Sequence, residues 1–209
     1  MDRYCIQLYD HVVNKADIKG KVVLEVGSGR GGGASYSSRY FKPKSYTGMD
    51  ISPKSIEFCN KYYENVENLN FVYGNAEKLP FNDNMYDFVV NVESARCYNN
   101  QQAFLNEVYR VLKADGKLLL ADMIYPKEIE KFKKMFNNAG FKLVKETSIS
   151  ANVVSALEKD SARREHLIDT KAPKFLRSSF KTFAGTLGTS RYNNFATGVF
   201  QYWSFVLEK

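Results

Sequence analysis

Apolar residues recur along the chain with two alternating periods, one typical of buried strands and one typical of amphipathic helices. Short apolar runs predict strands over residues 21–26, 45–50, 69–73, 85–92, 117–121, 141–149 and 198–207. Helical spacing predicts helices over residues 2–14, 100–113, 127–139, 151–168 and 173–184. A further helix should follow the glycine turn to about residue 41 and become regular near Ala34, because glycine is a poor helix former. Ser52-Pro53 is the start signal of a helix that runs to about 66, and Asp115-Gly116 predicts a turn into the fifth strand.

The order of these elements predicts an α/β fold built on a doubly wound, Rossmann-like sheet. We expect seven strands, mostly parallel, with helices on both faces. The last two strands are separated by roughly 45 residues, too many for a plain loop in a compact domain. We therefore expect a helical cap inserted between them, whose aromatic stripe packs mainly into the core. The stripe comprises Phe175, Leu176, Phe180 and Phe183.

The length of 209 residues suits a single domain. We divide it into an N-terminal helix (1–20), a core that binds the cofactor (21–149), the helical cap (150–195) and the last strand (196–209). This division predicts that the ligand lies at the core and that the cap selects the substrate.

The first strand leads directly into a turn that contains Gly27, Gly29 and Gly31. Glycines let the backbone turn sharply and approach a ligand closely. The spacing also fits the dinucleotide fingerprint, so it does not choose a cofactor by itself. Glu25 favours a cationic ligand. A pyrophosphate prefers bare amides, and a carboxylate so close to the turn would repel it. S-adenosylmethionine carries an ammonium and a sulfonium, so the carboxylate points to methyl transfer.

Polar residues follow the ends of strands two, three and four, which share one crevice in a sheet of this kind. Asp50 is well placed to accept both hydroxyls of a ribose. The segment 74–77 offers groups to an adenine edge, and the segment 91–94 should lie near the methionine end. The predicted cofactor-binding residues are Glu25, Gly27, Ser28, Gly29, Gly31, Asp50, Ile51, Asn75, Ala76, Glu77, Asn91 and Glu93.

Four segments resemble the motifs of class I S-adenosylmethionine-dependent methyltransferases. They are Glu25-Val-Gly-Ser-Gly-Arg-Gly31, Gly48-Met-Asp-Ile-Ser52, Gly74-Asn-Ala-Glu-Lys-Leu-Pro-Phe81 and Glu107-Val-Tyr-Arg-Val-Leu-Lys-Ala-Asp-Gly116. The sequences Gly-Arg-Gly-Gly-Gly-Ala-Ser35 and Asn-Val-Glu-Ser94 resemble a narrower, small-molecule branch. That branch methylates hydroxyls and carboxyls of glycolipids, polyketides or fatty acids, and it includes the phthiotriolone and phenolphthiocerol methyltransferases.

The resemblance implies S-adenosylmethionine as the cofactor. It places Gly27, Ser28 and Gly29 along the methionine part, Asp50 at the ribose and Ala76 at the adenine. Two departures stand out. The family usually has aspartate where Asn75 stands, and relatives in this branch often carry histidine shortly after strand four, where this chain reads Ser-Ala-Arg-Cys-Tyr.

Three residues are candidates for acceptor chemistry. Asp122 ends strand five and is the first candidate for a base or a substrate anchor. His166 in the predicted cap is the second, because histidine titrates near neutral pH. Arg96 suggests a different role, since a guanidinium beside the methyl donor can hold an anionic acceptor. Our hypothesis is that the missing histidine and this arginine favour an acidic or phenolic acceptor.

The net charge of +7 lies entirely in the C-terminal part, where residues 124–209 hold 15 basic and 8 acidic side chains. Such a part is compatible with binding to nucleic acid, to an anionic lipid surface or to an acidic substrate, or with an ordinary solvated surface.

The 3 cysteines match no metal or disulfide spacing, and we expect no metal. No apolar run reaches the length of a membrane span, and no secretory signal precedes the first strand. We expect a cytoplasmic protein with at most a peripheral membrane contact.

The sequence thus predicts an enzyme that transfers a methyl group to an oxygen of a small, apolar molecule. The oxygen is a hydroxyl, a phenol or a carboxylate. The alternatives are an RNA or other nucleic-acid methyltransferase, favoured by the basic C-terminal part, and an NAD-dependent oxidoreductase, favoured by the glycine spacing. A scaffold that binds the cofactor without catalysis is a third. The acceptor and the oligomeric state stay open at this point.

Overall fold

The computed structural model describes residues 3–209, so the predicted helix start at Asp2 lies outside the described residues. The strands are β1 Val22–Val26, β2 Ser45–Asp50, β3 Leu69–Tyr73, β4 Tyr86–Val92, β5 Leu112–Ile124, β6 Lys142–Ser148 and β7 Gln201–Glu208. The α-helices are α1 Arg3–Val13, α2 Gly32–Phe41, α3 Pro53–Tyr62, α4 Gln101–Val111, α5 Ile129–Asn138, α6 Ser150–Lys171, α7 Arg177–Ala184 and α8 Ser190–Ala196. Short 3₁₀ turns cover Ala95–Cys97, Pro126–Glu128 and Lys174–Leu176.

The strands form one seven-stranded, mixed and mostly parallel sheet in the order β3-β2-β1-β4-β5-β7-β6. β1 pairs in parallel with both β2 and β4, and the pairs β2–β3 and β4–β5 are parallel as well. The predicted doubly wound, Rossmann-like sheet is therefore confirmed. The chain reverses its direction of travel across the sheet at β1 and β4, and ligands bind such sheets at the carboxyl ends of those strands.

Burial explains why the central strands read as apolar runs. Val23, Leu24, Val89 and Val90 are fully buried, as expected for strands that helices cover on both faces. The predicted start signal of α3 is confirmed as well. The Ser52 hydroxyl accepts a hydrogen bond from the Ser55 amide, and proline follows in the first turn.

The residues cluster into two compact units. The first contains the chain up to Asp122 together with Glu130–Thr147 and Ser204–Lys209. The second contains Met123–Ile129 and Ser148–Trp203. The first unit holds the glycine turn, and the second holds helices α6, α7 and α8. The division into one domain with a cap over residues 150–195 stays a prediction.

The predicted turn at Asp115 before strand five is wrong, because β5 begins at Leu112, directly after α4. The register shifts where Tyr86 pairs with Leu112 and Phe88 pairs with Lys117. Asp115 has a φ of +62° there, and aspartate tolerates this left-handed conformation better than most residues. The turn signal is thus absorbed as a bulge within a continuous strand.

In the segment between β6 and β7, one helix was not predicted and one prediction is wrong. Helix α8 was not expected, and it begins at an N-cap where the Thr189 hydroxyl accepts from the Tyr192 amide. The aromatic stripe does not pack into the core, because Phe175, Phe180 and Phe183 are exposed to solvent. The other boundaries differ from the predicted ones by a few residues: α2 already begins at Gly32, α3 ends at Tyr62, α6 extends to Lys171 and β7 begins at Gln201.

Candidate active site

The glycine turn after β1 adopts backbone conformations that favour glycine. Gly27, Gly29 and Gly31 have φ values of +79°, +54° and +74°, a region that side chains disfavour. The amides of Gly27 and Ser28 donate to the carbonyl of Met49 at 2.8 and 2.9 Å. These bonds fix the turn against the end of β2.

Gly27 also provides space for another part of the chain. A Cβ at this position would overlap the Ser94 side chain and lie 2.9 Å from the Tyr98 hydroxyl. The residues that follow β4 therefore reach the turn that follows β1. No side chain other than hydrogen fits between them, so Gly27 is required for packing as well as for conformation.

Asp50 ends β2 and joins the same turn. Its Oδ2 accepts a hydrogen bond from the Gly29 amide at 2.8 Å, and its Oδ1 accepts one from the Ser52 amide at 2.9 Å. The carboxylate is half-buried, and each oxygen keeps a lone pair for a further donor. Ile51, the next residue, exposes 63% of its surface.

Glu25 lies in β1 behind the turn and is fully buried. Its Oε1 accepts a hydrogen bond from the Tyr9 hydroxyl and its Oε2 accepts one from the Tyr46 hydroxyl, both at 2.8 Å. Burial raises the pKa of Glu25 to about 7, although the two phenols oppose the shift. The two phenols occupy both oxygens, and contact between Glu25 and a ligand stays a prediction.

The segment after β3 is held by its own polar groups. Asn75 Oδ1 accepts from the Glu77 amide at 2.9 Å, and Glu77 Oε1 accepts from the Asn100 amide at 3.1 Å. Ala76 between them is buried, whereas Asn75 is exposed. The predicted adenine-side residues thus form one ordered loop.

Three side chains at the end of β4 form a polar cluster. The Asn91 amide nitrogen lies 2.9 Å from the Val26 carbonyl oxygen, 2.8 Å from the Ser94 hydroxyl and 3.0 Å from the Tyr98 hydroxyl, and its two hydrogens are shared among these oxygens. Sequence reasoning did not identify Tyr98, because only its approach to Gly27 distinguishes it from other tyrosines. Glu93 is exposed with a φ of +55°.

The structure brings two of the three predicted acceptor residues together. Arg96 Nη1 lies 2.5 Å from Asp122 Oδ1, and the Arg96 amide donates to Asp122 Oδ2 at 3.0 Å. Asp122 is buried, whereas the Arg96 side chain is 30% exposed. Burial alone lowers the pKa of Arg96, but the charge and hydrogen bond of Asp122 raise it overall. His166 is an exposed residue of α6 in the second unit.

Comparison with known proteins identifies the family. The profile of the family described as "Methyltransferase domain" matches residues 24–120. A phthiotriol/phenolphthiotriol dimycocerosates methyltransferase of Mycobacterium leprae is 36% identical over 91% of this chain and 71% of that protein. The chain belongs to the class I S-adenosylmethionine-dependent methyltransferases. A fatty-acid O-methyltransferase of Mycolicibacterium smegmatis is 41% identical to this methyltransferase. The matched part covers 85% of this chain and 64% of that relative.

Solved structures agree on the fold of this methyltransferase. A phosphoethanolamine N-methyltransferase of Haemonchus contortus in complex with S-adenosyl-L-methionine superposes with a TM-score of 0.85 at 16% identity. The superposition covers 97% of this chain and 52% of that one. The nucleic-acid, NAD-dependent and non-catalytic alternatives receive no support from these relatives.

The residues of this methyltransferase fit S-adenosylmethionine. Within the described residues, Ser28 Oγ and Asn91 Oδ1 are buried without a hydrogen-bond partner. Leaving a buried polar atom unsatisfied costs about 1–3 kcal/mol, and both atoms belong to residues at the ends of β1 and β4. The oxygens of Ser28, Asp50 and Asn91 are acceptors, which suits a ligand with an ammonium and two ribose hydroxyls.

Neither a metal-binding cluster nor a membrane-spanning helix is found in the described residues. No group of three or more His, Cys, Asp and Glu side chains in residues 3–209 could hold a metal ion. No helix in the same range is long and apolar enough to cross a membrane.

Proposed function

We propose that this methyltransferase transfers a methyl group to the carboxylate of a small, apolar, lipid-like acceptor. The supporting observation is the Arg96–Asp122 pair at the end of β5, combined with 41% identity to a protein named as a fatty-acid O-methyltransferase. The chain spans less than two thirds of that relative, so its acceptor belongs to the proposal. A cytoplasmic location, expected from the sequence, is part of the same proposal.

The proposal assigns the cofactor to the glycine turn. Gly27, Ser28 and Gly29 would hold the methionine part, and the Asp50 carboxylate would accept from the ribose hydroxyls. Ile51 supports this assignment because it presents an apolar side chain to solvent beside Asp50, as a flat adenine ring would require. The remaining predicted contacts are Glu25, Gly31, Asn75, Ala76, Glu77, Asn91 and Glu93, and they stay predictions.

The bound cofactor supplies an electrophilic methyl group on a sulfonium with a neutral leaving group. The chain's own tasks are to align the acceptor oxygen and to exclude water. Alignment alone can contribute about 7–11 kcal/mol. A carboxylate needs no base, because it is already deprotonated at neutral pH. An alcohol would need one, and base catalysis typically contributes about 10²–10⁴-fold.

The geometry of Arg96 supports a carboxylate acceptor. Asp122 contacts the guanidinium through Nη1. No described side chain accepts from Nε or Nη2, so these two nitrogens are left for a ligand. Two parallel N–H donors match a carboxylate. In this proposal Asp122 fixes the orientation of Arg96 and does not act as the base, because both of its oxygens already accept from Arg96. The exposed His166 has no assigned role.

The test compares a long-chain fatty acid with the alcohol of the same chain length, using purified protein, S-adenosylmethionine and mass spectrometry of the products. We expect the methyl ester from the acid. With rates referred to the folded fraction, Arg96→Met should lower kcat/KM for the acid by roughly tenfold to a hundredfold, the range for a lost hydrogen bond to a charged group, and leave any turnover of the alcohol unchanged. Arg96→Lys is the matched control, since it keeps the charge and loses the planar fork. Turnover of the alcohol alone, or equal losses for both acceptors, would contradict the proposal.

The basic C-terminal part belongs to the proposal as well. Acceptors of this kind are held in membranes or micelles, so we propose that this part makes a peripheral contact with a lipid surface. The excess of basic over acidic residues in 124–209 supports this contact.

A further inference from the structure

Helix α7 in the second unit has its apolar side chains on the outside. None of its eight residues is buried. Phe180 and Phe183 are exposed, and Phe183 exposes 75% of its surface. The polar Lys181 is less exposed and lies 3.0 Å from Asp169 of α6. A water-exposed helix normally shows the opposite arrangement, so this face suits an apolar partner.

Exposed apolar residues also flank the helix in the sequence, one before it and one after it. Phe175, in the 3₁₀ turn before α7, is 82% exposed, and Leu187 after the helix is exposed as well. Single exposed apolar residues are common on proteins and need no explanation. Four of them between residues 175 and 187 are more than such scatter and favour a contact surface. We call Phe175, Phe180, Phe183 and Leu187, together with Lys171 and Lys174, the α7 surface.

The residues of α7 and its flanking segments carry only positive charge, and Asp169 of α6 neutralises that of Lys181. Between Thr170 and Leu207 the chain contains no Asp or Glu, whereas Lys171, Lys174, Arg177, Lys181 and Arg191 are basic. Lys171 and Lys174 are exposed, and no acidic side chain in the described part of the chain pairs with either. The guanidinium of Arg191 lies 5.3 Å from the centre of the Phe183 ring. Cationic and aromatic groups are therefore interleaved.

We propose that the α7 surface docks on an anionic lipid bilayer. The phenylalanines would enter the boundary between headgroups and acyl chains, and the lysines would meet lipid phosphates, as interfacial helices do. A second copy of this chain would bring the same positive charge. A nucleic acid would complement the lysines but would offer Leu187 no apolar contact. An anionic lipid surface complements both the apolar and the basic side chains.

This inference rests on the proposed function in one respect, because a lipid surface is where a lipid-like acceptor would be found. It adds the surface that makes the contact and the chemistry of the partner. Binding to vesicles is measured without turnover, so the two proposals can fail separately.

The experiment is co-sedimentation with vesicles of phosphatidylcholine, with and without phosphatidylglycerol. We expect binding to the anionic vesicles that weakens with salt. The variant Phe175→Ser/Phe183→Ser should lower the partition coefficient by about tenfold or more. Lys171→Ala and Lys174→Ala should each lower it by roughly fivefold. The matched control is Tyr40→Ser/Tyr62→Ser, which removes two aromatics of the first unit that are 72% and 69% exposed, and it should bind like the unchanged protein.

Three results would overturn the inference. The first is that the protein fails to bind anionic vesicles, and the second is that the double phenylalanine variant binds them as well as the control variant does. The third is a dimer in analytical ultracentrifugation that the same substitutions dissociate, which would assign the α7 surface to a second copy. Turnover of an acceptor kept below its critical micelle concentration is measured in parallel. Its absence would count against the proposed function and leave the vesicle result standing.

Discussion

The Tyr9 hydroxyl on α1 donates to Oε1 of Glu25 on β1 at 2.8 Å. Tyr46 on β2 holds the other oxygen of the same carboxylate. A helix and two strands are thereby connected through one fully buried acidic group directly behind the glycine turn. Because Glu25 ionises in the neutral range, this connection changes charge under physiological conditions.

The stability of the protein should fall as the pH rises from about 4.5 to about 7. These are the ordinary pKa of a glutamate and the raised pKa of Glu25 in the folded protein. Since the folded state holds the proton more tightly, stability is highest below the lower value and is lost through the upper one. The loss should be about 3 kcal/mol, and Glu25→Gln should abolish it. Urea unfolding across this pH range measures both.

Glu107 is the control, because its pKa is shifted in the opposite direction to that of Glu25. Its hydrogen bonds to Arg110, only partly opposed by burial, lower its pKa, so its contribution is present above the ordinary pKa of a glutamate and is lost as the pH falls. Glu107→Gln should therefore lower stability at neutral pH and change the dependence of stability on pH only on the acid side. A pH profile that Glu25→Gln leaves unchanged would show that Glu25 does not titrate in this range.

Replacing Gly27 with alanine should weaken binding of S-adenosylhomocysteine by at least about tenfold. The new methyl group would overlap Ser94, and the positive φ adds about 1 kcal/mol of strain. Gly20→Ala is the control, because Gly20 has a φ of +68° with nothing within 4 Å of its Cβ position. Isothermal titration measures both variants. If Gly27→Ala bound S-adenosylhomocysteine as tightly as the unchanged protein, Ser94 would have moved aside without loss of binding free energy.

Asp50→Asn should raise the Kd for the cofactor by about tenfold or more, with a smaller effect on kcat. The amide replaces one of the two oxygens that accept from Gly29 and Ser52 with a donor, and it removes the charge available to ribose hydroxyls. Asp17→Asn is matched to it, since Asp17 accepts from the Lys19 amide in an exposed turn. Unchanged affinity in Asp50→Asn would remove Asp50 from the cofactor site.

Arg96→Met should destabilise the protein by about 3 kcal/mol, because it leaves the buried Asp122 carboxylate without the charge of the arginine. Adding Asp122→Asn to the same protein should recover part of the loss. Denaturant unfolding of the two single variants and the double variant measures this coupling. Strictly additive losses would show that the pair contributes no interaction energy.

The sequence predicted the features that depend on local conformation. The glycine turn, Asp50 at the end of β2 and the N-cap at Ser52 each follow from a backbone requirement that few residue types satisfy. The doubly wound, mostly parallel sheet follows from the alternation of strands and helices along the chain. These predictions were accurate because the necessary information lies within a few residues of each site.

The rest depends on contacts between distant residues. Nothing near Glu25 in the sequence shows that Tyr9 and Tyr46 would hold its two oxygens, or that Arg96 would meet Asp122. The aromatic stripe of α7 has the spacing of a core helix, and only the structure shows that it is exposed. Asp115 gives a turn signal that a bulge satisfies equally well.

The approach of Ser94 to Gly27 has a consequence for engineering. The turn after β1 has no side chain at Gly27, and Ser94, which follows β4, occupies that space. Grafting the glycine turn alone onto another scaffold would reproduce its backbone but not this packing. A functional transplant has to carry both strand ends together.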